Sequence, residues 1–388
     1  MTAPRFNPHL LEVPLYIAGK SIDEVKEELG LAAVVKLASN ESPIGPSPLA
    51  IQAAQRLLAE AHHYPGVADC NLRRKLAARL GYGLAEDNIL LANGGTDALR
   101  MITQAFVFDG GNTVMSQVTF PMYRILTVAF GGTPKIVAPS PDYGHDLATM
   151  AGQLDEDTRI VFLCSPNNPT GDILTQAQVD HFLAAVPEHV VVVFDESYYD
   201  YVADPRYAQS LSSVEAGRNV LVLRSFSKSA GLANLRVGYV IGPAVLVEYI
   251  RHTRLPFHVG DIALAAASAS LDDTEYHRQG RQAVLEGRAY LLAALRQLKL
   301  CCLPSQANFV TILDPPLEVT TLVQALLRKG IIVRPLDAFG LPNGIRVSVG
   351  TQADNEKFIQ ALANALPEAT YSGSGLLSDQ VHEWEAST

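Results

Sequence analysis

Two apolar patterns alternate along the chain. Short unbroken runs predict strands: "NILLA" (88–92), "TVMS" (113–116), "KIVA" (135–138), "RIVFLC" (159–164), "VVVVF" (190–194), "VLVLR" (220–224) and "RVGYVI" (236–241). Between several of them lie stretches with helical spacing, such as "TDALRMITQAFV" and "TQAQVDHFLAAV", where Leu183 follows Val179 by four residues. Runs without polar alternation indicate strands covered on both faces. Alternation of such strands with helices indicates an α/β fold, a mostly parallel sheet sandwiched by helices. A long helix over 273–298 follows. Then come "NFVTIL" (308–313), a helix over 317–328, "IIVRPL" (331–336), "GIRVSVG" (344–350) and a helix over 353–365, together a smaller α+β unit. Ahead of all this, residues 1–45 hold an irregular arm, a short helix over 21–29 and a strand over 34–37. The expected division is 1–45 as an arm and part of the small domain, 46–272 as the large domain, 273–368 as the small domain and 369–388 as a polar, Gly/Ser-rich mobile tail.

Composition narrows the class. With 388 residues, 48% hydrophobic and 18% charged, the chain is long enough for two packed units of a globular protein. A net charge of −10 argues against nucleic acid as the partner. The opening "MTAPRFNPHL" has no apolar core of a secretory signal, and "IALAAASASL" is too short to span a bilayer and reads as a packed helix. Cys70, Cys164, Cys301 and Cys302 suit neither a zinc site nor a disulfide framework, so a reducing cytoplasm is the expected location. No metal is expected: the ten histidines lack ligand spacing, and His62–His63 reads as a solvated helix end.

In such a sheet, functional residues gather at the carboxyl ends of the strands. "VVVVFDE" ends one strand in Asp195 and Glu196. It resembles a Walker B strand, but that reading requires a G-x-x-x-x-G-K-[ST] loop and the chain has none. "GYGLAE" (81–86) lacks the last glycine of a dinucleotide fingerprint and precedes its strand. "NGGTDALR" (93–100) follows a strand, with Thr96–Asp97 placed to cap a helix whose first N–H groups can hold an anion; alone it is equally an ordinary strand–helix turn. In "VLVLRSFSKSAGLANLRVG" (220–238) a strand ends in Ser225, Ser227 and Lys228, with Arg236 close behind. A lysine between apolar segments is desolvated, its pKa falls, and it becomes fit for Schiff-base chemistry. "CSPNNPTG" (164–171) is turn chemistry after another strand. Together these fit pyridoxal 5′-phosphate, which needs a lysine for its aldehyde, an anion cup for its phosphate and a carboxylate, Asp195, for its pyridine nitrogen. Glu196 is left without a required role, as a helix cap or an exposed charge.

"CSPNNPTG", "DESYYDY", "SFSKSAGLANLRVGY" and "GIRVSVGT", in that order, resemble the fold-type-I pyridoxal-phosphate aminotransferases. Within them, "VPLYIAGKSIDEVKEELGL", "VVKLASNESPIGPSPLA", "HYPG", "PSQANF" and "GIIVRPL" are similar to the histidinol-phosphate aminotransferases, over about residues 12–365. The resemblance implies the fold-type-I transferase fold with 46–272 as the cofactor-binding domain. It implies that Lys228 bonds the cofactor and moves the substrate proton, Asp195 holds the pyridine nitrogen, and Asn168 and Tyr198 bond the phenolic oxygen. Phe120 would stack on the ring, where relatives often have tyrosine. Gly95, Thr96, Ser225, Ser227 and Arg236 would cup the phosphate, with Tyr64 reaching the phosphate of a neighbouring subunit in a homodimer with shared sites. Arg346, assisted by Asn40, would clamp the substrate carboxylate, and Tyr16, Tyr123 and Arg334 would face the rest of the substrate. The loop "LPFHVGDIA" (255–263) departs from the family: His258 and Asp261 stand where relatives often have asparagine and serine or another small polar residue, and it is expected to border the substrate. The implied reaction is amino transfer between histidinol phosphate and 2-oxoglutarate in histidine biosynthesis. An aromatic or broad-range aminotransferase and a phospho-amino-acid decarboxylase are the alternatives.

Overall fold

The computed structural model describes residues 8–13, 19–66 and 68–366. Tyr16 and the expected mobile tail, 369–388, lie outside them. Among the described residues, thirteen strands form three sheets: β1 (Val35–Lys36), β2 (Ile89–Ala92), β3 (Asn112–Ser116), β4 (Thr133–Val137), β5 (Thr158–Cys164), β6 (Val191–Asp195), β7 (Val220–Ser225), β8 (Gly238–Ile241), β9 (Cys301–Leu303), β10 (Phe309–Leu313), β11 (Ile331–Ile332), β12 (Arg334–Pro335) and β13 (Gly344–Ser348). Seven of them make the main sheet in the order β2-β8-β7-β6-β5-β3-β4. Its pairs from β7 to β4 are parallel; β8 runs antiparallel to both β2 and β7.

The unbroken apolar runs have a direct cause. Successive residues of a strand face opposite sides of the sheet. Val161, Leu163, Val192 and Phe194 enter one hydrophobic cluster, while Ile160, Phe162, Val191 and Val193 enter another on the opposite face. Helices cover both faces, so neither set of alternating positions can be polar. "IALAAASASL" is indeed a packed helix, Asp261–Ser270. Among the described residues no helix is long and apolar enough to cross a membrane.

The smaller sheet has the order β12-β13-β10-β9, all antiparallel, and is packed against the long helix Thr274–Gln297 and the helices Val319–Arg328 and Gln352–Ala363. Two details differ from the sequence reading. "IIVRPL" is split: Ile331–Ile332 pairs in parallel with β1 from the N-terminal region, and Arg334–Pro335 pairs with β13. Cys301–Leu303 is a further edge strand that its short, partly exposed run did not announce. His62 and His63 are exposed just beyond a 3₁₀ turn, a solvated helix end, and with Glu60 they bring three polar atoms within 4.8 Å of one another.

Candidate active site

Register places the motifs side by side. Cys164 at the end of β5 is opposite Asp195 at the end of β6, and Asp195 is opposite Leu223, two residues before the end of β7. Gly238 of β8 pairs with both Ser225 and Ala92, which brings the turn after β2 against the end of β7. The approach is close: a Cβ on Gly238 would lie 2.7 Å from the Gly94 carbonyl carbon, so only glycine allows it. These strand ends form the floor of a cleft of about 330 Å³. Its lining includes Gly95, Thr96, Phe120, Asn168, Asp195, Tyr198, Ser225, Ser227, Lys228 and Arg236 from the large sheet, and Asn40, Arg334 and Arg346 from the opposite side.

Asp195 is buried, and its carboxylate accepts hydrogen bonds from Tyr123 Oη at 2.9 Å, from Ser197 Oγ at 2.6 Å and from the Ser197 N–H at 3.1 Å. Burial raises its pKa, and those three donors oppose the rise. Lys228 Nζ donates to the Ser39 carbonyl at 2.9 Å. Burial first, and then the cations of Arg346 and Arg236, bring its pKa down to about 7. An amine of that kind exchanges a proton near neutral pH.

The residues expected to cup an anion lie together in the cleft. The helix Gly95–Phe106 starts from Gly94 at φ 87°. The N–H groups of Gly95 and Thr96 lie in its first turn and have no intrahelical acceptor. Arg236, itself at φ 54°, lies across the turn, and a Cβ on Gly94 would fall 2.2 Å from its Nη2. Arg236 Nη1 donates to Ser227 Oγ at 3.4 Å, and the Ser227 N–H donates to Ser225 Oγ at 3.1 Å. The reading of Thr96–Asp97 as caps is corrected: no side chain caps this helix, and both residues lie inside its first turn, where Asp97 accepts the Asn93 N–H at 2.9 Å.

The opposite wall belongs to the small sheet. Arg346 on β13 is buried, donates to Asn168 Oδ1 and donates to the Ala38 carbonyl at 2.9 Å. Asn40, at φ 54°, donates through Nδ2 to Tyr198 Oη at 3.0 Å, and Asn168 Nδ2 reaches the same oxygen at 3.4 Å. In the β12–β13 pairing Arg334 is directly opposite Arg346. Like charges across a ladder repel, so two facing guanidinium groups concentrate positive charge on one cleft wall. Their carbons lie 5.7 Å and 5.3 Å from the centroid of the Phe339 ring.

Three expectations change. Tyr123 does not face the substrate: it is fully buried behind Asp195 and stacked on Phe162 with centroids 4.8 Å apart, because its helix, Met122–Ala129, turns that face onto the sheet. Glu196 is neither a cap nor exposed. It is 1% exposed and paired with Arg224 at 2.8 Å, because adjacent residues at a strand end point to opposite sides. His258 and Asp261 do not line the cleft: His258 donates to Asp97, and Asp261 accepts the Gly66 N–H at 2.9 Å. Tyr64, expected at the phosphate of a neighbouring subunit, lies outside this chain's own cleft, 78% exposed and stacked on Phe257. The sequence reading missed Ser197, although a hydroxyl two residues after Asp195 is a familiar turn signal. It also missed the Ser39 carbonyl, which has no sequence signal.

The residues fit pyridoxal phosphate on the chemistry of the donor set: a low-pKa lysine, a buried carboxylate acceptor and a cup of N–H groups, hydroxyls and a guanidinium within one cleft. Comparison with known proteins agrees. The chain is 40% identical to histidinol-phosphate aminotransferase 2 of Pseudomonas fluorescens over 93% of its own length and 97% of the relative's. It is 41% identical to histidinol-phosphate aminotransferase of Moorella thermoacetica over 94% of both chains. The crystal structure of histidinol-phosphate aminotransferase from Sinorhizobium meliloti in complex with pyridoxal-5′-phosphate superposes with a TM-score of 0.83 at 25% identity, over 94% of this chain and 98% of that one. The family described as aminotransferase class I and II matches residues 32–362, a span that contains every element of the cleft floor and the arginine wall, and the chain belongs to that family.

Proposed function

We propose that the chain is a pyridoxal-phosphate-dependent aminotransferase that moves an amino group between histidinol phosphate and 2-oxoglutarate, in histidine biosynthesis, as a cytoplasmic homodimer. The observation that carries the substrate reading is the facing pair Arg334 and Arg346 on one wall. Two adjacent guanidinium groups suit a phosphate dianion, or the two carboxylates of glutamate, through charge-assisted and bidentate bonds. A donor with a single carboxylate needs only one of them. The names of the relatives at 40% and 41% identity support the same choice. The homodimer is supported by the apolar rim beside the cleft, where Tyr64, Leu255 and Phe257 are exposed at 78%, 64% and 59%. On this reading Tyr64 completes the phosphate site of the partner.

When bound, pyridoxal phosphate supplies an electron sink for the charge that develops at the substrate Cα. Lys228 Nζ, whose lowered pKa of about 7 lets it exchange a proton near neutral pH, would take the Cα proton and return it. Asp195, held by Tyr123 and Ser197, would keep a proton on the pyridine nitrogen. Asn168 and Tyr198 would hold the phenolic oxygen, and Phe120 would stack on the ring. Gly95, Thr96, Ser225, Ser227 and Arg236 would receive the phosphate. Arg346, steadied by Asn168 and the Ala38 carbonyl, orients the substrate anion, with Asn40 beside it.

The test is a panel of half-reactions followed by cofactor absorbance. Histidinol phosphate and glutamate should be the fastest donors. Phenylalanine fastest with histidinol phosphate inert would replace this reading with an aromatic aminotransferase. Release of carbon dioxide from a phosphorylated amino acid would replace it with a decarboxylase.

A further inference from the structure

The loop from Leu255 to Asp261 touches two functional regions without lining the cleft. His258, whose side chain is 4% exposed, donates through Nε2–H to Asp97 in the first turn of the anion-cup helix. Asp97 in turn accepts the Asn93 N–H at 2.9 Å and Arg100 Nε at 2.9 Å, so its carboxylate fixes the turn that presents Gly95 and Thr96. At the other end, Asp261 Oδ2 accepts the Gly66 N–H at 2.9 Å, and the Phe257 ring stacks on Tyr64 with centroids 4.4 Å apart. One seven-residue stretch therefore holds the cup turn with one hand and the Tyr64 segment with the other.

The electrostatics explain why the cup end needs a clamp. A carboxylate in the first turn of an anion-binding helix competes with the anion for the same positive end. Burial pushes the Asp97 pKa up, but the bonds from His258, the Asn93 N–H and Arg100 overcome it and bring it down to about 2. Asp97 is thus charged at working pH. Held by His258 and Arg100, the charge is directed back onto the turn and the loop instead of towards the phosphate.

We infer that the loop Leu255–Asp261 is a clasp that couples the phosphate cup to the Tyr64 segment, with His258 the positioning residue for the cup and Asp261 the positioning residue for Tyr64. This rests on the reading that the cup takes the cofactor phosphate. The clasp acts on phosphate retention and leaves ring recognition by Asp195 and Lys228 alone. It also explains why a histidine and an aspartate occur together in this loop: each reaches a different partner, and neither lines this chain's cleft.

The test compares the affinity of the cofactor-free dimeric protein for pyridoxal phosphate with its affinity for pyridoxal, which lacks the phosphate. His258→Ala should weaken pyridoxal phosphate about tenfold and leave pyridoxal unchanged. His258→Gln, which places an N–H where Nε2 stood, should restore most of the loss. Asp261→Ala and Tyr64→Phe should each weaken pyridoxal phosphate, and the double variant should lose no more than the worse single one, the signature of residues acting through one contact. Equal loss for both ligands, no loss for either, or strict additivity of Asp261→Ala and Tyr64→Phe would overturn the clasp. A wild-type protein that binds both ligands equally would instead refute the cup, a result visible before any loop variant is made.

Discussion

Asp195 and Arg346 face the same cleft, but the chain reaches them by different routes. The floor is made by parallel strands β5, β6 and β7, whose in-register pairing sets Cys164 level with Asp195 and brings Ser225 two residues beyond that level, at the same edge of the sheet. The wall is made by antiparallel pairing in a second sheet, where Arg334 meets Arg346 because β12 folds back onto β13. The floor carries buried groups with shifted pKa values, Asp195 upward and Lys228 downward to about 7, which are the needs of proton chemistry. The wall carries permanent cations, which select by charge and shape. On the proposed function, chemistry and choice of substrate fall to separate sheets, and changes on one side should leave the other's task intact.

The largest effect is expected on the floor at Lys228. Lys228→Ala should abolish turnover, and borohydride reduction of the wild-type holoenzyme followed by peptide mapping should label Lys228; a label on another lysine would remove it from the chemistry. Asp195→Asn comes next. An amide cannot hold the pyridine proton, so kcat should fall by about a thousandfold or more, each ~1.4 kcal/mol of lost stabilisation being a factor of ten. Unchanged circular dichroism would show that the fold survives. On the wall, Arg334→Ala should raise KM for histidinol phosphate and for glutamate by about ten- to a hundredfold, the ~1.5–3 kcal/mol of a charge-assisted bond. Phenylalanine should respond far less, and an equal loss for all donors would make Arg334 merely structural.

Two smaller effects sharpen the floor. Tyr123→Phe removes one of the donors that oppose the upward shift at Asp195, so the acid limb of the kcat–pH profile should move to higher pH, with a loss of several-fold at the optimum. In the cofactor-free protein, Lys228 must give up a proton to stay buried. Its folded pKa, about 7, is below the unfolded value of 10.5, so the unfolded chain binds more protons between those limits. The resulting destabilisation is full below pH 7 and is relieved as pH rises towards 10.5. Lys228→Met should therefore raise Tm by a few degrees at pH 7 and by much less at pH 10, read by thermal melts across that range.

The floor was legible in the sequence because each of its residues lies within a few positions of a buried strand, and unbroken apolar runs mark such strands. Asp195, Ser225 and Lys228 could be placed at strand ends without knowing any partner. Glu196 was misread at the same spot because one step along the backbone reverses the side of the sheet, and only the structure shows Arg224 waiting on that side. Tyr123 was misread because a tyrosine on a short amphipathic helix can face either the cleft or the sheet, and its packing on Phe162 decides it. The wall was less legible. Arg334 and Arg346 could be suspected one at a time, but their facing each other depends on antiparallel register, which no local pattern encodes. The His258 and Asp261 contacts join segments 161 and 195 residues apart and were not readable at all.

The most direct test of the division between floor and wall is one ratio. It is kcat/KM for histidinol phosphate divided by kcat/KM for phenylalanine, measured in the wild type, Asp195→Asn and Arg334→Ala. The account predicts that Asp195→Asn lowers both values together and leaves the ratio within about twofold, while Arg334→Ala lowers the ratio by about tenfold or more. A ratio that moves with Asp195 and stays fixed with Arg334 would contradict it.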